Sequence, residues 1–346
     1  MKAESVRDLK QELKAELLHG ETALPREFHR FGATKALAAK ASQLHTRRPR
    51  SVGMALGIAK GTMSGDYRLS VRIQVRGKPG NELAARVVQR TKGECDIRFL
   101  RDVRAKQSAA WYRKRRRPLE AGLSVSLAGP VETAGTLGCI VEDAKQHYIL
   151  SNNHVLANIN NAEAGDPVVQ PGTLDRAPTS ASLIGVLERF IPISFKRSNL
   201  VDAAVAALFP DIEFYAAWTE ALPGVVQGTK KLTVSDLGRP VFKAGRTTGV
   251  TEGHISSVDV DRLAVDMADP GTPPKLAEFS DQIEVQGSNG RGFSGAGDSG
   301  SLIVDRRGRA VALLFSGGTD RETGQPITFA NRIENVLREL AVKITP

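Results

Sequence analysis

A serine set between glycines is the residue of this chain best placed to act as a nucleophile. Ser299 lies in the run GDSGS at positions 297–301, and an apolar stretch, 302–304, follows it. A serine hydroxyl is a weak nucleophile alone and needs an adjacent base to take its proton. The glycines permit a tight turn in which the amides of Gly297 and Ser299 could bind an oxyanion. The run therefore indicates acyl-transfer chemistry.

The base and its orienting acid are expected at polar turns that follow or precede apolar strands. His154 ends the stretch YILSNNH, and the other five histidines lack such a turn. Asp202 precedes the apolar run AAVAAL, where burying a carboxylate is costly unless it accepts hydrogen bonds. A histidine N–H would satisfy this carboxylate, which predicts the pair His154 and Asp202. A turn-capping role for Asp202 stays open, as do the rival acids Asp175 and Asp166, the latter in a Gly-Asp-Pro turn.

The order His154, Asp202, Ser299 along the chain resembles that of chymotrypsin-like serine peptidases, and so do the spacings. The segment KAGRTTG at 243–249 resembles the bacterial streptogrisin and α-lytic branch of that family. The resemblance covers roughly residues 120–345. With the small domain that precedes it, the chain looks like intracellular trypsin-like peptidases of bacteria and plant relatives of the Narrow Leaf type.

This resemblance implies a double β-barrel and a serine endopeptidase that forms an acyl-enzyme through His154, Asp202 and Ser299. It also implies a substrate pocket with Phe293 at its base and Gly318 on its wall. Ser316 begins the SGG stretch that pairs with the substrate backbone in the family. Because the implied base carries no negative charge, we expect an apolar or small residue before the scissile bond.

The chain departs from the family pattern at several positions around the serine. Ser301 stands where glycine is usual, the family's disulfides are missing, and 118 residues precede the barrel. The family's free N-terminus, which inserts beside the aspartate before the nucleophile, therefore has no counterpart. Asp298 needs another cationic partner, since an unpaired buried carboxylate is strongly destabilising. The resemblance to the bacterial branch points to Arg246.

The elements that must position these residues fall into three predicted parts. Residues 1–45 are expected to form a helical segment, residues 46–118 a small basic α/β domain with a linker, and residues 119–346 the protease barrel. The apolar spacing predicts helices over 3–18, 26–44, 81–90 and 330–342 and N-terminal strands over 52–58, 67–75 and 95–100. The many short strands after residue 120 predict the mainly β architecture.

Charge is unevenly divided between these parts. The net charge is +10 overall, but residues 1–118 hold 28 Lys and Arg against 11 Asp and Glu, whereas the remainder has an acidic excess. The basic part is therefore expected to meet nucleic acid, an acidic protein or an anionic surface. The charge run 113–117 is interpreted as a solvated linker, and a contact with nucleic acid or an acidic partner stays open, as does a processing site, although Pro118 disfavours cleavage after Arg117.

Composition also limits the function classes. The chain has two cysteines, an N-terminus too charged for a secretory signal, and no stretch of about 18 apolar residues. These features predict a cytoplasmic protein without a membrane span. Metal-binding and cofactor-binding motifs are missing, so no cofactor is expected. The alternative to a protease is a catalytically retired barrel that acts as a binding or regulatory module, with nucleic acid as a candidate partner of its basic part.

Overall fold

The computed structural model describes residues 1–19, 54–61, 63, 65–73, 78–101, 111–129, 132–176, 178–216, 226–268, 271–288 and 292–346. The helix predicted over 26–44 lies outside these residues. None of the helices within them is long and apolar enough to cross a membrane.

The described elements fall into an N-terminal module and two sheets that follow it. The module comprises α1 (Ala3–His19), β1 (Met54–Lys60), β2 (Tyr67–Ile73), α2 (Lys78–Arg90) and β3 (Cys95–Arg101). The first sheet unit comprises β4 (Ser124–Leu127), β5 (Gly135–Thr136), β6 (Cys139–Glu142), β7 (His147–Ser151), the one-turn helix α3 (Asn153–Leu156), β8 (Pro167–Val169), β9 (Leu183–Phe190) and β10 (Ala204–Leu208). The second comprises β11 (Pro240–Gly245), β12 (Gly249–Asp261), β15 (Gln282–Gly287), β16 (Leu302–Asp305), β17 (Ala310–Asp320), β18 (Pro326–Arg332) and the helix α4 (Ile333–Leu340). Between β12 and β15, β13 (Leu263–Asp266) and β14 (Leu276–Phe279) pair with each other in a separate two-stranded sheet, and the C-terminal strand β19 (Lys343–Ile344) pairs with β6 of the first unit.

Six strands of the second unit close into a barrel. Neighbouring strands follow the order β17-β16-β11-β12-β15-β18, and the pairing of β17 with β18 joins the two ends. The first unit repeats this order in β4-β8-β9-β10-β7-β6, although β4 and β6 do not pair, so this sheet stays a curled half-barrel. The repeated order confirms the predicted mainly β, chymotrypsin-like double-barrel fold.

The C-terminal helix is confirmed but shorter than the apolar spacing suggested. Residues 330–332 belong to β18, and α4 begins only at Ile333. Ile333, Val336 and Leu340 are buried on one face of the helix. Ala341, in the left-handed region with φ 52°, ends it.

The N-terminal module has the predicted ββαβ order and extends the barrel sheet. β1 pairs with β12, and β3 pairs with β17, both antiparallel. Leu56, Leu69 and Val71 of the module are fully buried in the same core as Ile255 and Ile303 of the barrel. The module and the second barrel therefore share one core and one sheet.

Part of the basic charge of the module is neutralised inside the chain. Lys10 Nζ lies 3.1 Å from an Asp261 carboxylate oxygen, and Lys14 Nζ lies 3.2 Å from the same oxygen. Arg72 makes a bidentate pair with Glu284, at 2.6 and 2.8 Å, and both side chains are almost fully buried. Acidic side chains of the second barrel thus form ion pairs with basic side chains of the N-terminal module.

Residues 113–117, interpreted as a solvated linker, are solvated only in part, because Lys114 and Arg115 are exposed while the segment is tied to Gln170. The side-chain oxygen of Gln170 accepts hydrogen bonds from the Arg116 amide at 2.9 Å and from Arg117 Nη1 at 2.8 Å, and its Nε2 donates to the Lys114 carbonyl at 2.8 Å. The Arg116 guanidinium stacks over Trp111, 4.3 Å from the ring centroid. The segment is fixed by the amide of Gln170, because this fully buried side chain needs polar partners.

The Arg72–Glu284 pair yields a stability prediction. Replacing Arg72 with Met leaves Glu284 buried and uncompensated, so we expect the free energy of unfolding to fall by about 3–5 kcal/mol. The double variant Arg72→Met/Glu284→Leu removes the fully buried pair and should recover most of that loss, because Asp96, the other partner of Arg72, is partly exposed and keeps Arg98 nearby. Urea unfolding of the three proteins measures this, and a double variant no more stable than Arg72→Met contradicts it.

Candidate active site

His154 and Asp202 meet at one end of the first sheet unit. His154 lies in α3, directly after β7, and Asp202 directly precedes β10, which pairs with β7. His154 Nδ1 is 2.5 Å from Asp202 Oδ2, and the His154 amide donates to Oδ1 at 3.2 Å. The aspartate is fully buried, whereas 21% of the histidine side chain is exposed. The contact orients the imidazole so that its Nε2 edge is left for a reacting group.

The backbone of Asp202 is held from two sides. Asn152 Nδ2 donates to its carbonyl at 2.6 Å, and its amide donates to Asn331 Oδ1 at 3.0 Å. Asn331, on β18, donates in turn to Gln282 Oε1 on β15 at 2.7 Å. These hydrogen bonds fix the carboxylate relative to the second barrel.

The rival acids lie in other contacts. Asp175 accepts two hydrogen bonds from the guanidinium of Arg246, and Asp166 accepts one from the Glu163 amide. Among the described residues, neither carboxylate contacts His154.

Ser299 lies in a turn of the second barrel just before β16. Gly297 and Gly300 have φ angles of 90° and 95°, which only glycine adopts without strain. The Gly300 amide donates to the Leu314 carbonyl at 2.8 Å, and Ser299 Oγ donates to the Phe315 carbonyl at 3.3 Å. No hydrogen bond joins Ser299 Oγ to His154, both of which are in the described part of the chain.

The short strand β5 brings the serine turn and the histidine helix together. The Thr136 amide donates to the Ser299 carbonyl at 2.7 Å. A Cβ on Gly135 would lie 2.4 Å from Val155 Cγ2 and 3.0 Å from the Ser299 carbonyl oxygen. Only glycine at position 135 therefore leaves room for the Val155 side chain on one side of β5 and for the Ser299 backbone on the other.

Two peptide groups of the serine turn are oriented by hydrogen bonds to their carbonyl oxygens, and this orientation sets the direction of their N–H groups. Thr247 Oγ1 donates to the Ala296 carbonyl, and the Ser301 amide donates to the Asp298 carbonyl at 3.0 Å. In a trans peptide the N–H points away from its C=O, so the Gly297 and Ser299 amides point away from these partners. Within the described residues neither amide has an acceptor. The two expected oxyanion donors are thus unpaired.

The carboxylate of Asp298 is fully buried, and its cationic partner is Lys243. Lys243 Nζ lies 3.1 Å from Asp298 Oδ2, and neither side chain is exposed. The Thr247 amide donates to Asp298 Oδ1 at 2.7 Å, and the Gly295 amide donates to Oδ2 at 2.8 Å. Burial lowers the pKa of Lys243, and the Asp298 charge opposes that shift.

The expected pairing of Asp298 with Arg246 is wrong. Arg246 Nε and Nη2 instead bind Asp175, at 2.7 and 2.5 Å, because the arginine side chain extends past the turn toward the first sheet unit. A Cβ on Gly297 would lie 2.5 Å from Arg246 Nη1. Arg246 therefore packs behind Gly297 rather than beside Asp298.

Lys243 and Thr247 were not predicted as site residues from the sequence, although Lys243 carried a signal. Lys243 interrupts the apolar strand PVFKAG, and a lysine within a buried strand requires an internal carboxylate. Thr247 carried no comparable signal, because its acceptor, the Ala296 carbonyl, lies 49 residues away.

The expected base of the substrate pocket, Phe293, is a core residue. Its ring is fully buried with Val285, Ile255 and their neighbours, so it does not line an open pocket. The adjacent Ser294 is half-buried, and its hydroxyl lies 2.6 Å from Thr328 Oγ1.

The other two expected pocket residues both lie on β17. Ser316 is 8% exposed, and Gly318 is buried. The Ser316 hydroxyl is buried, with no hydrogen-bond partner among the described residues.

No group of three or more potential metal ligands occurs in the described ranges.

No family model matches the chain, and no curated protein matches it. Several solved structures are similar to it. Thermobifida fusca Protease A is 16% identical with a TM-score of 0.45, over 65% of this chain and 97% of that one. Cellulomonas bogoriensis chymotrypsin is 16% identical with a TM-score of 0.44, over 65% and 97%. The active form of the Rv3671c protease of M. tuberculosis is 18% identical with a TM-score of 0.36, over 64% and 79%. At these identities the likeness concerns the fold alone.

The buried Lys243–Asp298 pair yields a prediction about the serine turn. Lys243→Met leaves the Asp298 carboxylate uncompensated next to Ser299, so we expect reaction with a fluorophosphonate probe to slow by about tenfold or more. The matched control is Lys230→Met, which breaks the Lys230–Asp236 pair elsewhere in the chain. Probe labelling rates of the two variants, with thermal unfolding of each, test this. Equal rates in both variants contradict the prediction.

Proposed function

We propose that this chain is a serine endopeptidase that hydrolyses peptide bonds of partner proteins. The observation that carries the proposal is the 2.5 Å contact of His154 with the buried Asp202, beside a serine turn with two unpaired amides. A base, its orienting acid, a nucleophile and oxyanion donors are the parts that acyl transfer needs.

The reaction proceeds in two halves. Ser299 Oγ attacks the substrate carbonyl carbon and gives its proton to His154 Nε2, while the Gly297 and Ser299 amides donate to the oxyanion. The C–N bond breaks as His154 protonates the leaving amine, and an acyl-enzyme ester remains. Water then attacks the ester with His154 again as base, which releases the acid and restores the serine.

The serine must turn before this reaction can begin. Its hydroxyl donates to the Phe315 carbonyl in the structure. The proposed reaction therefore requires Ser299 to leave this contact by rotation about χ1 to another staggered position.

Ser299→Ala tests the nucleophile. We expect the variant to lose all labelling by a fluorophosphonate and all peptidase activity, because the alkoxide that forms the covalent bond is removed. The matched control is Ser301→Ala, since the Ser301 hydroxyl is buried without a hydrogen-bond partner among the described residues and its removal costs little. Labelling of Ser299→Ala would identify another nucleophile. A wild-type chain that neither labels nor cleaves would favour the retired barrel that serves as a binding module.

The proposed preference at the residue before the scissile bond is apolar or small. Ser294, which follows the buried Phe293 in sequence, and Thr328, whose hydroxyl lies 2.6 Å from that of Ser294, carry hydroxyls rather than charges. A neutral pocket gives no counter-ion to a lysine or arginine side chain. Cleavage of a peptide library should therefore be enriched in uncharged residues at this position, and a profile dominated by arginine contradicts it.

We further propose a cytoplasmic setting, which the free thiols of Cys95 and Cys139 support. Burial raises the pKa of the Cys139 thiol to about 12, so this cysteine stays protonated. Recruitment of nucleic acid or a separate acidic partner by residues 1–118 stays a prediction.

A further inference from the structure

Among the described residues, one edge of β17 carries a three-residue interval without a strand partner, between the serine turn and the N-terminal module. Its first residues pair with β16, and the Leu314 and Phe315 backbones bind the serine turn. At the far end Thr319 pairs with Arg101 and Asp320 with Leu100 of β3. On this edge no strand of the described residues pairs with 316–318.

The hydrogen-bonding groups of Gly317 point into this interval. The Arg321 amide donates to the Phe99 carbonyl of β3, whereas the Asp320 amide donates to Gln325 on the opposite side. In an antiparallel strand the N–H and C=O of one residue share a side, and sides alternate along the chain. Thr319 and Gly317 therefore face the edge that β3 occupies. The Gly317 amide and carbonyl are the groups offered to a peptide lying there.

The orientation of such a peptide follows from its neighbours. β3, β16 and β18 all pair with β17 antiparallel. A peptide that continues this pattern, with its reacting carbonyl at Ser299, directs its N-terminal part past Gly317 toward Thr319. At about 3.4 Å per residue, it reaches the position of Arg101 after roughly three residues. β3 and a bound substrate would thus occupy successive positions along the same edge of β17.

β3 is held firmly in this position. It pairs with β2 over five residues, from Cys95 to Phe99. Arg98 Nε lies 3.8 Å from an Asp320 carboxylate oxygen, and Asp96 binds the buried Arg72 at 2.9 Å. An extending substrate therefore meets Leu100 and Arg101, which already pair with Asp320 and Thr319, and must leave the sheet plane.

We propose that β3 closes the acyl side of the substrate groove after about three residues. The proposal rests on the proposed peptidase function and names its substrate class. Favoured substrates are polypeptides whose chain begins, or bends out of the sheet, within about three residues before the scissile bond. The N-terminal module is in this way a specificity element of the site.

A length series of substrates tests this proposal with the full-length protein. Acetyl-(Ala)n-Leu-aminomethylcoumarin peptides, with n from zero to five, differ only in their N-terminal length. We expect kcat/KM to rise up to n of two, as Gly317 gains its partner. It should then fall at least about fivefold by n of four, where a further backbone hydrogen bond cannot form without displacing β3.

Two variants at the end of β3 separate a strand wall from a general effect of length. Arg101→Pro removes the amide that pairs with Thr319, so the strand end can yield, whereas Arg101→Ala keeps the amide. The quantity compared is kcat/KM at n of four divided by kcat/KM at n of two. We expect this ratio to rise about threefold or more in Arg101→Pro, whereas in Arg101→Ala it should stay at the wild-type value.

The outcomes distinguish this inference from the function on which it rests. A kcat/KM that keeps rising through n of four and five overturns the closed groove while the peptidase stands. An Arg101→Pro variant that is folded by circular dichroism but keeps the wild-type ratio also overturns it. Failure of every peptide, together with no fluorophosphonate labelling of Ser299, would instead reject the peptidase function itself.

Discussion

The buried carboxylate of Asp298 is the constraint on which the serine turn depends. A charge in a dry interior is tolerated only when a counter-ion and hydrogen-bond donors surround it. Asp298 forms an ion pair with the Lys243 ammonium and accepts hydrogen bonds from the amides of Thr247 and Gly295 and from the hydroxyl of Thr248. Each of these groups belongs to the hairpin 243–249 or to the serine turn itself. Satisfying one carboxylate therefore fixes two segments that are about 50 residues apart in sequence.

Asp202 has the corresponding role in the first sheet unit. It too is fully buried, and its two oxygens are taken by the amide and imidazole of His154. Its amide is tied to Asn331 in the second barrel. The two buried carboxylates thus hold the histidine helix and the serine turn independently, and β5 brings the two together. The two sheet units also share an apolar core, which includes Leu150, Leu302 and Leu313, and a displaced serine turn would in addition leave a charge unpaired.

How much the sequence could predict depends on the range of the contact involved. The glycines around Ser299 and the apolar strands beside His154 and Asp202 are local signals, and their order along the chain matched one fold. The partner of Asp298 could not be predicted in this way. Lys243 and Arg246 lie three residues apart on one hairpin, and only the path of each side chain decides which carboxylate it meets. Phe293 was misplaced for the same reason, because its burial depends on Gly253, 40 residues away, leaving space for its ring.

The segment that local patterns described least well is the boundary between the basic part and the barrel. Charge runs usually indicate solvated chain, yet residues 113–117 are fixed by Gln170, and Arg72 is buried against Glu284. A basic excess in one part of the chain and an acidic excess in the other are what such internal pairing requires. The module cannot be displaced without leaving Glu284 and Asp261 without their cations. Since the same module supplies β3, the strand that pairs with the far end of β17, the charge division that predicted an external partner also holds one wall of the proposed substrate groove in place.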